Sequence, residues 1–212
     1  MQKGLFITFE GGEGCGKSTQ ARLLADFFVA QGREVVLTRE PGGSDGAEDI
    51  RALVVKGDVA RWDALTEALL MYAARRDHLV KKIIPALNEG KVVICDRFAD
   101  STAAYQGYAY GEKALGKETA DALYRMVVGP VRPNLTLMMD MPVETGLERA
   151  LKRDANVNRY ERMGLEFHNR LREAFLKIAR NEPERCAVVD AARTVPEIRD
   201  EILNIVRERL LR

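Results

Sequence analysis

Five short runs dominated by apolar residues recur along the chain, at 5–10, 34–38, 91–96, 135–140 and 186–190, and each gives way to a segment with helical spacing. Alternation of this kind predicts an α/β fold: a parallel sheet of five strands with helices on both faces. Residues 18–31 carry Leu23, Leu24, Phe27 and Phe28 at helical spacing and stop before Gly32, which makes them the crossover helix between the first two strands. A long helix is predicted from about 62 to 88, ending before Gly90. A final one is predicted from about 196 to 211, with Ile198, Ile202, Ile205 and Val206 as its buried stripe. Two segments break the pattern, 39–44 and 153–160, and both set arginine beside flexible residues.

Composition narrows the class only slightly. With 212 residues, 46% hydrophobic and 31% charged, the chain reads as one globular domain spanning 1–212. Its 33 basic and 32 acidic side chains leave a formal charge of +1, which provides no whole-molecule field to attract a nucleic-acid polymer. Any anion must therefore be held locally. The apolar stretch at 5–9 is too short for a signal peptide, and no apolar run approaches the roughly 20 residues of a membrane-spanning helix, so the expected location is cytoplasmic. Cys15, Cys95 and Cys186 are odd in number and widely spaced, and only His78 and His168 accompany them; neither a disulfide framework nor a zinc site is implied.

Directly after the first strand stands Gly11-Gly12-Glu13-Gly14-Cys15-Gly16-Lys17-Ser18-Thr19, which fits the phosphate-loop pattern between a predicted strand and a predicted helix. Glycines let successive N–H groups point inward, and the helix that follows adds the positive end of its dipole. Lys17 is expected on the β- and γ-phosphates of ATP and the Ser18 hydroxyl on Mg2+. Glu13 reads equally as a solvated loop carboxylate or as a direct participant. Cys15, at the mouth of the helix, reads as a reactive thiol or as a small filler under the loop. A GTPase switch would need D-x-x-G and an Asn-Lys-x-Asp guanine reader, and neither string occurs.

The third strand ends in Asp96-Arg97-Phe98, at the sheet edge where ligands of open α/β sheets bind. Asp96 is suited to a magnesium-bound water and Arg97 to a two-pronged grip on phosphate. The alternative for this neighbouring pair is a strand-end ion pair.

Taken together, Phe9-Glu10-Gly11 with the loop, Thr38-Arg39-Glu40-Pro41-Gly42-Gly43, Asp96-Arg97-Phe98 and the stretch from Ser101-Thr102 to Tyr105-Gln106-Gly107 resemble bacterial thymidylate kinase over nearly the whole chain. The resemblance implies a P-loop nucleoside-monophosphate-kinase fold, a homodimer, ATP with Mg2+ as donor, and dTMP as acceptor. It also implies that Arg97, helped by Arg39 and Arg51, binds the acceptor phosphate, with Glu10 and Asp96 near the sugar and metal and Ser101 in the same stretch. Arg75 matches the arginine that contacts thymine, Thr102 and Gln106 match the polar readers on the ring's other edge, and Tyr105 matches the ring beneath the sugar. Where many relatives stack an aromatic on the base this chain has Met71, with Tyr72 beside it; either could line the pocket.

Between Gly146 and Glu161 lie Arg149, Lys152, Arg153 and Arg159, interrupted by the polar stretch 154–158. This reads as a mobile lid over about 149–160 that delivers an arginine to the transferring phosphate. Arg149 and Arg153 are like charges four residues apart, an unfavourable pairing without an anion between them. Because Glu13 stands where one branch of the resembled family has a basic loop residue, the lid supplies that charge here, through Arg153 or Arg149. Two other readings stand beside this one: another monophosphate or deoxynucleoside kinase of the same fold, and an ATP-dependent switch protein without an acceptor.

Overall fold

A computed structural model of the chain describes residues 4–153 and 159–211, excluding the side chain of Arg153. Five parallel strands, β1 (Leu5–Gly11), β2 (Val35–Arg39), β3 (Val92–Asp96), β4 (Leu135–Asp140) and β5 (Cys186–Asp190), lie in the order β2-β3-β1-β4-β5. Phe6, Ile7 and Phe9 of β1 are all fully buried on alternating sides, as befits a strand covered by helices on both faces. On one face Ile7 and Phe9 pack with α1 (Lys17–Ala30) and α9 (Val195–Leu210) through Leu24, Phe28, Ile198 and Val206; on the other, Phe6 packs with Tyr72, Leu79 and Ile83.

The predicted long helix is real but not uniform. Asp63 caps it, accepting from the backbone N–H of Leu65 at 2.9 Å and Thr66 at 3.0 Å. The helix α3 (Ala64–His78) then passes through a π-helical turn, Leu79–Ile83, into α4 (Ile84–Asn88). Pro85, with no N–H to donate and a ring that crowds the preceding turn, is the local reason for the widening. Of the stripe predicted for the last helix, Ile198, Ile202 and Val206 are buried and Ile205 is half-buried.

Between the strands lie α2 (Asp45–Val55), α5 (Ala99–Ala104), α6 (Gly116–Val127), α7 (Val143–Arg153) and α8 (Leu165–Asn181). Because β1 has β3 on one side and β4 on the other, the loops leaving β1, β3 and β4 surround a crevice at the carboxyl edge, where the strand order reverses. Gly14 and Gly146 meet there back to back. A Cβ on Gly146 would stand 2.5 Å from the Glu13 carbonyl oxygen, so only glycine lets α7 rest against the loop after β1. Among the described residues no helix is long and apolar enough to cross a membrane.

Candidate active site

The loop between β1 and α1 wraps Lys17, whose ammonium donates to the carbonyls of Gly11 at 3.2 Å and Gly12 at 2.5 Å. Cys15 is buried and its thiol donates to the Gly12 carbonyl at 3.1 Å; it packs beneath the loop as a filler. Ser18, at the start of α1, donates to the carboxylate of Asp96 at the end of β3. Two oxygen ligands thus converge beside the loop, the donor type that Mg2+ takes together with phosphate oxygens and water.

A cleft of about 530 Å³ opens from this loop, bounded by Lys17, Ser18, Arg39, Arg51, Met71 and Arg75 and closed by Asp96, Arg97, Ser101, Thr102, Tyr105 and Gln106. Gly14, Gly16 and Thr19 lie on its rim. Arg97 takes a backbone φ of 69°, unusual for a residue with a Cβ and a sign of strain held in place by its surroundings. Its guanidinium donates to the Gly11 carbonyl at 2.9 Å and the Ser101 hydroxyl at 3.1 Å. Arg39 binds both oxygens of Glu48 at 3.0 Å, and Arg51 reaches the Pro41 carbonyl at 2.8 Å. Burial first, and then the neighbouring Arg39 charge, lower the pKa of Arg51. Guanidinium groups gathered at a cost in mutual repulsion mark a place for an anion.

Glu13 is not a solvated loop carboxylate. It accepts from Arg97 at 3.0 Å and from the Tyr105 hydroxyl at 2.7 Å. Burial works against its charge, but Arg97, Lys17 and the Tyr105 hydrogen bond overcome that and hold its pKa down to about 2.

At the far end of the cleft Arg75 is 2% exposed. It donates to Glu40 at 2.7 Å, the Phe98 carbonyl at 2.9 Å and the Thr102 hydroxyl at 3.0 Å. Glu40 also bonds His78 Nδ1 at 3.0 Å, and His78 Nε2 meets Thr38 at 2.8 Å. This orienting set was not singled out from the sequence, although Glu40 sits inside the 38–43 motif. Arg75 Nη1 and Gln106 Oε1 are buried without a partner, a donor and an acceptor left over in the wall of one cleft.

Three expectations are corrected by position. Tyr72 does not line the cleft: it is 2% exposed within the core beside Phe6 and Phe98, and Met71 takes the cleft wall. Adjacent helical residues point about 100° apart, so only one of the two can face the crevice. Glu10 is fully buried behind the wall, accepting from the Phe98 N–H at 2.8 Å, the Ser101 N–H at 3.3 Å and the Ser101 hydroxyl at 2.5 Å; it holds the first turn of α5, whose unpaired N–H groups need an acceptor. Arg149 turns away from the acceptor side, donating to the Ala191 carbonyl at 3.2 Å and the Ala192 carbonyl at 3.3 Å beyond β5. Of the basic stretch, Lys152 pairs with Glu148 at 2.6 Å on the exposed face of α7. Arg159 is fully enclosed against Glu67. The Arg153 side chain and 154–158, where the lid arginine was expected, lie outside the described residues.

A family model described as thymidylate kinase matches residues 9–202 of the chain. The chain belongs to the thymidylate kinase family. Its sequence is 52% identical to a thymidylate kinase of Caulobacter vibrioides, over 99% of both chains, and 51% identical to one of Ruegeria pomeroyi, over 99% of this chain and 97% of the relative. The crystal structure of thymidylate kinase from Ehrlichia chaffeensis is similar with a TM-score of 0.76 and 37% identity, covering 96% of this chain and 98% of that one. Membership of the family brings two substrates, ATP and dTMP.

Proposed function

We propose the following use of the site in the reaction of this family, transfer of the γ-phosphate of ATP to dTMP giving dTDP and ADP. The loop N–H groups and Lys17 bind the ATP phosphates, while Arg97, with Arg39 and Arg51, grips the acceptor phosphate and brings its oxygen in line with the γ-phosphorus. No covalent enzyme intermediate is needed, since a phosphate oxygen is nucleophile enough once its charge is neutralised. Ser18 and Asp96 would hold Mg2+, which supplies further neutralisation of the phosphates when bound. Arg153, the last residue of α7, adds positive charge to the transferring group, and Arg149 acts on the ATP side beside the turn after β5.

One observation carries the choice of acceptor: the unpartnered pair of Arg75 Nη1 and Gln106 Oε1. Thymine offers a carbonyl acceptor at O4 and a donor at N3, which satisfies both, whereas cytosine presents the reverse pattern. Met71 packs on the ring and Tyr105 lies under the sugar. The reading is tested by incubating the protein with ATP, Mg2+ and a panel of nucleoside monophosphates. ADP formation should require a monophosphate and be fastest with dTMP; equal ATP consumption without any acceptor refutes it.

We further propose a cytoplasmic homodimer. Leu53 of α2, Leu65 and Leu69 of α3 and Val80 beyond it are each 44–50% exposed, and such exposed apolar side chains on two helices that pack together suit a self-complementary contact. Sedimentation at micromolar concentration decides it, and a monomer at every concentration overturns it.

A further inference from the structure

Glu67 lies outside the cleft wall and is fully buried, yet it is the hub of a polar network that reaches the cleft. One carboxylate oxygen accepts from Gln106 Nε2 at 2.5 Å and from the Tyr160 hydroxyl at 2.7 Å, and the Tyr110 hydroxyl lies astride both oxygens at 3.2 and 3.1 Å. The other accepts from Arg159, whose own Nε and Nη1 reach the carbonyls of Val54 at 3.2 Å and Val59 at 3.0 Å. Arg159 thus anchors the segment before α8 to the end of α2 while it neutralises Glu67.

A primary amide has two nearly isosteric ends, and nothing in its shape decides which faces a ligand. Here the decision comes from Glu67. Beside the Arg159 guanidinium its carboxylate only accepts, so the NH2 end of Gln106 must turn toward it, and the carbonyl end is left facing the cleft. We propose that Glu67 is a specificity-determining positioning residue, which orients the Gln106 amide so that the site presents an acceptor to the base, and that Arg159 locks Glu67 in that role. This rests on the reading of Gln106 as a base-contacting group and adds what sets its polarity.

The substitution Glu67→Gln isolates the effect. Arg159 claims the single carbonyl oxygen of the new amide, whose NH2 then confronts Gln106 and forces that side chain to turn over. The cleft then presents a donor, which matches N3 of cytosine. Steady-state kinetics with dTMP and dCMP should show the ratio of their kcat/KM values falling about tenfold or more, through KM for the monophosphate, with KM for ATP within about twofold of the parent. A role in packing alone would depress turnover with both monophosphates together. An unchanged ratio in Glu67→Gln therefore overturns the proposal, provided Gln106→Ala lowers it. If Gln106→Ala also leaves the ratio unchanged, the reading of Gln106 itself fails instead. Should Glu67→Gln not fold, the double substitution Glu67→Leu with Arg159→Met replaces the buried ion pair with apolar side chains, a change proteins commonly tolerate; it leaves the Gln106 amide without its orienting acceptor, so the same ratio should fall and an unchanged ratio overturns the proposal.

Discussion

Glu13 of the phosphate loop and Arg97 after β3 are joined by an ion pair at 3.0 Å, across 84 positions of the sequence. The pair links the loop after β1 to the arginine proposed to grip the acceptor phosphate. Glu13, with a pKa held at about 2 against an ordinary 4.5, stabilises the folded state above about pH 4.5 and loses that contribution as pH falls toward 2. Glu10 behaves oppositely: burial first, and then Asp100, raise its pKa to about 8, so its contribution is complete below pH 4.5 and is lost as pH rises through 8. Melting temperatures across this range should show Glu13→Gln blunting the acid limb and Glu10→Gln flattening the decline toward pH 8. Parental slopes in both variants would mean that neither carboxylate is set as described.

Lys17 donates to the carbonyls of its own loop, the place proposed for the β- and γ-phosphates. Lys17→Ala should lower kcat by on the order of 10³ or more, because its charge is needed most in the transition state. Circular dichroism should show an intact fold. Full activity would make the loop a structural turn only.

The two lid-side arginines should separate kinetically. Arg153→Ala is expected to cut kcat on the order of 10³ with little change in either KM, the signature of an interaction made in the transition state. Arg149→Ala, which loses the bonds to the Ala191 and Ala192 carbonyls, should instead raise KM for ATP. The reverse pattern would exchange their roles.

Met71 and Tyr72 give a direct test of which side chain meets the base. Tyr72→Ala removes a buried ring and should cost about 3–5 kcal/mol of stability while leaving KM for dTMP nearly parental in protein that remains folded. Met71→Ala should do the opposite, raising KM for dTMP with a small change in melting temperature. A Tyr72 variant whose main defect is in dTMP binding contradicts the orientation of α3.

Base preference should follow the order dTMP, dUMP, dCMP in kcat/KM. Loss of one methyl group is worth only roughly 1–3 kcal/mol, whereas a reversed donor pattern leaves buried polar groups unpaired. Arg75→Ala is a poor probe, since it strands buried Glu40 and should cost about 3–5 kcal/mol of stability. Gln106→Ala is the cleaner one. A purine monophosphate as best acceptor would overturn the base assignments while leaving the phosphate chemistry intact.

What the sequence by itself determined is whatever depends on neighbours along the chain. Strand positions followed from apolar runs of about five residues between helical spacings, and all five strands lie within a residue of where those runs put them. The phosphate loop was legible for the same reason: its glycines, Lys17 and Ser18 work in one local turn whose spacing is the chemistry. Membership of the family could be read from four short motifs in order. The tertiary structure decided partner choice among side chains far apart in sequence. Glu13 reads equally as a solvated carboxylate or as a participant until β3 brings Arg97 and α5 leads into Tyr105 beside it. Arg159 looks like one more cation of a basic lid, but the packing of its segment against α2 and α3 buries it on Glu67. Met71 and Tyr72 are both apolar enough for either role, and only the rotation of α3 against the sheet separates cleft from core. In each case the local pattern fixes what a residue can do, while burial and the charge opposite it, set by how the elements meet, decide what it does.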